Sequence, residues 1–375
     1  MDNKNNSTYP LPQDDSLEIA YLSHLFDNMS ECYKLFWFQA IINLVSEGKT
    51  IITYDELVNE MVADAWYMVS EYRLNLGPAD TLEALVHYIH QTSGMKTNEK
   101  KETILTYLEN STDPELKKRK RTLTYNVPYR LQAPFMKWLK GKEWKVSEKK
   151  VAEKINQESY LIYYFVKLSG LDSQIEITPN WQSYIIKNQE ILRGWLQYNM
   201  ITYLQRRNPN IPGIVNKLNP PQERKLERVK RYWKLICEAA PVQDIYTDHV
   251  LEAKELSIDH FVPWSYVTHD ELWNLNPTTK SANSSKNNNL PVWDIYFPKL
   301  CAIEYRAYEA TWKYEKIREE FERCRKEHVN SDEAWMHLYR EGLTKEEYYH
   351  NLEGILLPVY QSAYNMGFKE WEYGK

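Results

Sequence analysis

The four cysteines of this 375-residue chain, Cys32, Cys237, Cys301 and Cys324, are widely separated and never paired as C-x-x-C. That spacing argues against a zinc knuckle and a disulfide framework alike, so a reducing cytoplasm is the expected compartment. Long apolar runs are missing as well. The most apolar stretch, residues 33–45, is broken by Lys34, Gln39 and Asn43 and is too short and polar to span a bilayer. No basic and apolar leader precedes a cleavage site, so neither membrane insertion nor secretion is expected. No internal repeat is apparent at a period of roughly twenty to fifty residues. Low complexity is confined to the Ser- and Asn-rich residues 281–289.

What is present is an ordinary apolar fraction, 43%, on a chain long enough for two or three domains. The net charge of −5 conceals a segregation. Residues 1–116 carry 7 Lys/Arg against 19 Asp/Glu, residues 117–234 carry 25 against 9, and residues 235–375 carry 15 against 24. A basic segment between two acidic ones is the footprint of a polyanion-binding surface, because Lys and Arg contacts to phosphates gain from counterion release. A solvated basic face that pairs with the acidic flanks explains the charges equally well.

The periodicity predicts a mainly α protein with a small α+β part. An acidic helical domain is expected over residues 1–116, beginning with a poorly ordered arm over residues 1–14. Within it Tyr33, Phe36, Trp37, Ala40, Ile41, Leu44 and Val45 recur at helical steps. Thr53, followed by Asp55 and Glu56, caps a second helix running to about Tyr72. These two helices suit a partner-docking or winged-helix-like module. A basic nucleic-acid-binding segment follows over 117–234, opening with Lys117, Lys118, Arg119, Lys120 and Arg121, which read as a phosphate-binding edge or an exposed turn. Its Lys137, Lys140, Lys142, Lys145, Lys149 and Lys150 interleave with Trp138 and Trp144, a mixture suited to phosphate contact and stacking, although the two tryptophans fit a core equally well. Residues 160–168 and 175–177 are β-rich, a long helix is expected over 181–206, and a helix over 222–239 places Arg224, Arg228 and Arg231 on one face. Helices return over 296–327, 331–340 and 344–367, in a C-terminal extension over 296–375.

The most informative stretch lies between, in residues 235–295. It reads Asp259-His260-Phe261-Val262-Pro263, then Asn274 fourteen residues after the histidine, then Asn283, Lys286 and Pro291. In residue type and spacing this resembles the active site of the HNH endonucleases, a ββα-metal hairpin that holds one divalent cation against a scissile phosphate. Lacking cysteine pairs, it is similar to the zinc-free HNH domain of the RNA-guided CRISPR effector nucleases. Nothing else in the chain resembles those effectors, so no guide RNA is implied. The larger layout resembles bacterial HNH proteins of restriction or anti-phage systems.

Phosphodiester hydrolysis needs an activated water, stabilised phosphoryl charge and a neutralised leaving oxygen. Mg²⁺ or Mn²⁺ takes oxygen ligands, so Asp259 and Asn283 are the expected ligands of one catalytic ion, with no structural zinc. His260 is the expected general base, since an imidazole titrates near neutrality. Neighbours on a strand point to opposite faces, so bringing Asp259 and His260 to one site calls for a twist or bulge at the strand end. The resemblance assigns Asn274 to orienting the imidazole. Asn276, followed by Pro277, reads as the N-cap of a helix over 277–286. That helix sets Asn283 and Lys286 one turn apart on one face, with Lys286 directed at the scissile phosphate. The first strand of the hairpin is expected at 242–247, and His249 and His269 read as loop residues.

The resulting expectation is a cytoplasmic, metal-dependent DNA endonuclease of restriction or anti-phage defence, in which His260, Asn274 and Lys286 act on DNA. The basic run Lys117 to Arg121 and Arg224, Arg228 and Arg231 would grip the substrate. Two other readings stand beside it. One is a nucleic-acid-binding or regulatory subunit with a silent HNH site, docked on a protein partner through its acidic N-terminal domain. The other is an RNA-cleaving toxin, since the phosphoryl chemistry is shared.

Overall fold

The computed structural model describes residues 11–27, 29–136, 139, 141–221 and 224–375. Most of the expected N-terminal arm, Lys137, Trp138, Lys140, Gln222 and the side chain of Lys142 lie outside the described residues. Among the described residues the architecture is mainly helical, as the periodicity predicts, with three small sheets. Chain compactness yields two units, Met1–Pro209 with Lys217–Pro220, and Asn210–Asn216 with Pro221–Lys375. Compactness therefore cuts across the charge segments. The basic stretch up to Pro209 folds with the acidic helices before it, and the remainder of that segment folds mainly with the HNH-like stretch.

In the first unit, helix α1 (Tyr33–Ser46) buries more than one stripe: Leu35, Phe38 and Ile42 are covered along with the expected residues, except Tyr33, which is half-buried. The reason is that helices α2 (Tyr54–Trp66) and α7 (Pro179–Arg207) both pack on it. Thr53 caps α2 through a reciprocal box, accepting from the Glu56 N–H while the Glu56 carboxylate accepts from the Thr53 N–H. Strand β1 (Ile51–Thr53) was not anticipated. It pairs with β3 (Gln174–Ile177), which pairs in turn with β2 (Tyr163–Lys167), all antiparallel. Helix, strand, helix and then a hairpin, in the order β1-β3-β2, is the strand order of a winged helix. Residues 67–162 intervene, however, carrying helices α3 (Thr81–Ser93), α4 (Lys101–Asn110), α5 (Pro114–Thr122) and α6 (Glu148–Ile155). The hairpin turn at 170–172 also packs against α2 and α5 rather than projecting as a wing.

The run Lys117 to Arg121 is no loose turn, because it lies within α5, capped by Asp113. Helical geometry sends its five bases in different directions. Lys120 is buried and paired with Asp55, so it is removed from any nucleic-acid surface. Arg119 pairs with Glu115 at 2.8 Å and lies 4.6 Å over the Tyr88 ring. Lys117, Lys118 and Arg121 remain exposed.

The second unit has one continuous core, running from Val229 on helix α8 (Glu227–Ala239) to Phe368. It unites the expected HNH region and the C-terminal extension, since Leu275, Ala282, Leu300 and Leu356 are all fully buried within it. Strands β4 (Leu256–His260) and β5 (Leu275–Thr279) lead into helix α9 (Lys280–Lys286). Helices α10 (Trp293–Lys313) and α11 (Glu315–His328), expected as one, break at Tyr314, whose backbone is extended. Helix α12 (Lys345–Asn365) begins with a second capping box, Thr344 with Glu347. Helix α8 starts at Glu227, so Arg224 precedes the helix that was expected to carry it. Arg228 and Arg231 pair with Glu327 and Glu320 of α11 at 2.9 and 3.2 Å, which spends much of their charge inside the unit. Among the described residues, no helix is long and apolar enough to cross a membrane.

Candidate active site

The hairpin of the site is β4 with β5, rather than residues 242–247 with β4. Near 242–247 there is only an isolated bridge between Gln243 and Val250, followed by a turn. Pairing runs without a bulge from Leu256 opposite Thr279 to His260 opposite Leu275. Asn276 and Pro277 belong to β5, where they oppose Asp259 and Ile258, and the helix starts three residues later than expected. Thr279 is its N-cap, its hydroxyl accepting from the Ala282 N–H at 3.2 Å. Proline fits either position, because in a two-stranded sheet every strand is an edge and a missing N–H is tolerated.

The residues linking 242–247 to the hairpin are tied by one buried carboxylate. Asp244 is fully covered and accepts from the Thr278 hydroxyl at 3.0 Å, the Tyr246 N–H at 3.0 Å and the Thr247 hydroxyl at 3.2 Å. These bonds join the segment to β5 through side-chain chemistry. Replacing Asp244 with alanine strands those donors without water, and the expected loss is about 3 kcal/mol or more of stability. Equilibrium denaturation measures it, and Asp244→Asn should retain part of it.

Asp259 and His260, on a regular strand, have separate partners. The Asp259 carboxylate accepts from the Tyr246 hydroxyl at 2.6 Å and pairs with the Lys286 ammonium at 3.1 Å. Burial and the adjacent carboxylate hold Tyr246 protonated, so it remains a donor. The His260 imidazole meets Asp270 instead, with Nε2 2.7 Å from Oδ1, and Arg224 Nη1 lies 3.4 Å from Nδ1. Burial lowers the proton affinity of His260 and outweighs the opposing pull of Asp270. Burial alone would raise Asp270, yet the His260 hydrogen bond, assisted by the charges of Arg224 and His328, keeps it below the usual carboxylate range. An ionised Asp270 accepts only, so Nε2 carries the proton of the neutral ring and Nδ1 holds the lone pair.

Asn274 does not reach the imidazole. Its side chain accepts from the Val262 N–H at 2.8 Å and donates to the Val262 carbonyl at 2.9 Å, while its own carbonyl accepts from the Phe261 N–H. It clamps the backbone that follows His260, and Asp270 takes the orienting place. Asp270 is itself supported from α11, where His328 Nδ1 lies 2.8 Å from its carbonyl oxygen, and Asn330 bonds the neighbouring Glu271 carboxylate. Nothing in residue spacing distinguished Asp270, since its contact with His260 depends on how the loop from 261 to 274 closes. His249 is an exposed loop residue, and His269 packs on Trp273.

Asn283 and Lys286 share the α9 face turned to β4, as the spacing predicts. The Asn283 amide donates to Ser257 Oγ and the Ile258 carbonyl, each at 3.0 Å, so its Oδ1 is the atom that could hold a metal. Lys286 is fully buried and also donates to the His260 carbonyl at 2.7 Å, so it holds the strand end together rather than facing solvent. Burial lowers its proton affinity and Asp259 counteracts the effect. The oxygens of Asp259 and Asn283 are hard donors of the kind Mg²⁺ and Mn²⁺ take. Opposite Asp259, buried Asn276 presents an Oδ1 with no hydrogen-bond partner among the described residues.

No curated protein and no solved structure matches the chain significantly. The family model for HNH endonucleases matches residues 243–292, a span that begins beside Asp244 and takes in β4, the Asn274 clamp, β5 and α9. With Asp259, His260, Asn274, Asn283 and Lys286 all inside that match and gathered around one ββα hairpin, this chain carries a domain of the HNH endonuclease family.

Proposed function

We propose that the protein is a metal-dependent endonuclease that hydrolyses phosphodiester bonds in DNA. The observation that carries this reading is that, inside the segment matching the HNH family, Lys286 and Asn283 of α9 bond the Asp259 carboxylate and the backbone carbonyls of His260 and Ile258 on β4, while Asp270 holds the His260 ring. HNH domains generally use a divalent metal, and the oxygen donors of Asp259 and Asn283 fit one such ion, Mg²⁺ or Mn²⁺. Bound there, the ion would stabilise charge on the phosphoryl and leaving oxygens. His260 takes the proton of the attacking water at Nδ1, while Asp270 fixes the opposite edge of the ring. Lys286 balances the Asp259 carboxylate and braces the strand end. Asp244 supplies the cross-linking between loop and strand that a structural zinc provides in other HNH proteins, so no second metal is needed. For the substrate, exposed Lys117, Lys118 and Arg121 offer phosphate contacts. A role in restriction or anti-phage defence is the reading favoured by the resemblance of the layout to bacterial HNH proteins of such systems.

The test is incubation of the full chain with supercoiled plasmid, single-stranded DNA and matched RNA, each with Mg²⁺, Mn²⁺ or EDTA. Nicking or cutting of DNA with either ion, absent in EDTA, is the expected result. Cleavage confined to RNA supports the toxin reading instead. Failure on every substrate leaves a nucleic-acid-binding or regulatory role.

A further inference from the structure

We propose that Arg224 is a movable cover of the catalytic base. In the free protein its guanidinium closes off Nδ1 of His260, and on substrate binding it passes to the scissile phosphodiester and stabilises the charge developing there. The inference deepens the HNH reading and rests on it.

A general base must reach water, yet His260 is only 2% exposed. Both ring nitrogens are engaged, Nε2 by Asp270 at 2.7 Å and Nδ1 by Arg224 Nη1 at 3.4 Å. Since Nε2 carries the proton, the nitrogen left to deprotonate water is the one beneath the guanidinium. For the ring to act, Arg224 has to leave.

The arginine is placed to do so. It precedes the first residue of α8, Glu227, and is exposed. Among the described residues it makes a long approach to Nδ1 and lies 5.8 Å from the Trp264 ring, and its charge acts on Asp270. Among the described residues it forms no ion pair, whereas Arg228 and Arg231 on the following helix are held by Glu327 and Glu320. A phosphodiester anion offers a guanidinium the bidentate, charge-assisted partner that it lacks here. Drawn to that phosphate, Arg224 uncovers Nδ1 at the moment when water and the scissile bond are together.

The test compares wild type, Arg224→Ala and Arg224→Lys as full chains. Diethyl pyrocarbonate, which acylates accessible neutral imidazoles, is applied without nucleic acid, and each histidine is followed by peptide mass spectrometry. Arg224→Ala should label His260 several-fold faster than wild type, with exposed His249 unchanged as the internal control. On plasmid DNA with Mg²⁺ the same variant should lose on the order of 10²-fold in kcat, as removal of a single charge-stabilising donor does elsewhere, with KM far less affected. Arg224→Lys, which restores charge but not the fork, should recover part of kcat. Equal labelling of His260 in wild type and Arg224→Ala overturns the cover. An unchanged or raised kcat overturns the transfer to phosphate. A wild-type protein that cuts no nucleic acid counts against the HNH reading itself, and the labelling comparison then still decides whether Arg224 shields His260.

Discussion

Replacing His260 with alanine should abolish metal-dependent nicking of plasmid DNA while the protein stays folded. A positioned general base typically contributes about 10²–10⁴-fold in rate. Here the ring is well prepared for the task. Burial keeps it neutral at pH 7, and the hydrogen bond to ionised Asp270 fixes which nitrogen holds the lone pair. Alanine leaves Asp259, Asn283 and Lys286 in place, so metal affinity and DNA binding should change little while turnover falls. Plasmid nicking in Mg²⁺, with circular dichroism to confirm folding, is the measurement. Cleavage persisting at the wild-type rate would remove His260 from the mechanism.

The largest expected effect on stability comes from Lys286→Met. The Lys286 side chain is fully buried against a nearly buried Asp259, 3.1 Å away. Two charges withdrawn from water are tolerated because each has the other, and removing one leaves the second uncompensated. Breaking such a pair costs about 3–5 kcal/mol. The Tyr246 hydroxyl still donates to Asp259, but it brings no charge. Urea denaturation in EDTA should therefore show a clear loss of stability. Added Mg²⁺ should return more stability to the variant than to wild type, because the freed carboxylate gains a cation that binds only the folded state. Identical denaturation curves for variant and wild type in EDTA would show that the ion pair is dispensable.

The parts of the site that were legible in the sequence are those set by short-range geometry. Adjacent Asp259 and His260 had to emerge together from one strand. Asn283 and Lys286, three apart, had to share a helix face once a helix formed there. The Thr53 capping box and the β-rich stretches around 163 and 175 were readable for the same reason, since caps and alternation are encoded within a few residues. Errors arose where one residue suits two local states. Asn276-Pro277 fits a helix start as well as an edge strand, and pairing with Asp259 and Ile258 selected the strand.

The role of Asn274 shows the limit from another side. Its position was readable, but its partner was not, because a side chain in a loop bonds whatever the folded loop brings near, here the Val262 backbone. Charge behaved in the same way. The excess of bases over residues 117–234 was visible by counting, yet only the folded chain shows Lys120 facing Asp55, Arg231 facing Glu320 and Arg224 lying over His260. By itself the sequence determined the fold class, the residues of the HNH motif and the chemistry they are suited to, all of which follow from residue type and local periodicity. Tertiary structure alone decided that Asp270 holds the His260 ring, that Lys286 is a buried counter-charge and that Asp244 fastens the hairpin. Each of those contacts joins residues ten or more positions apart, and long-range closure of the chain, rather than any local pattern, sets which of them meet.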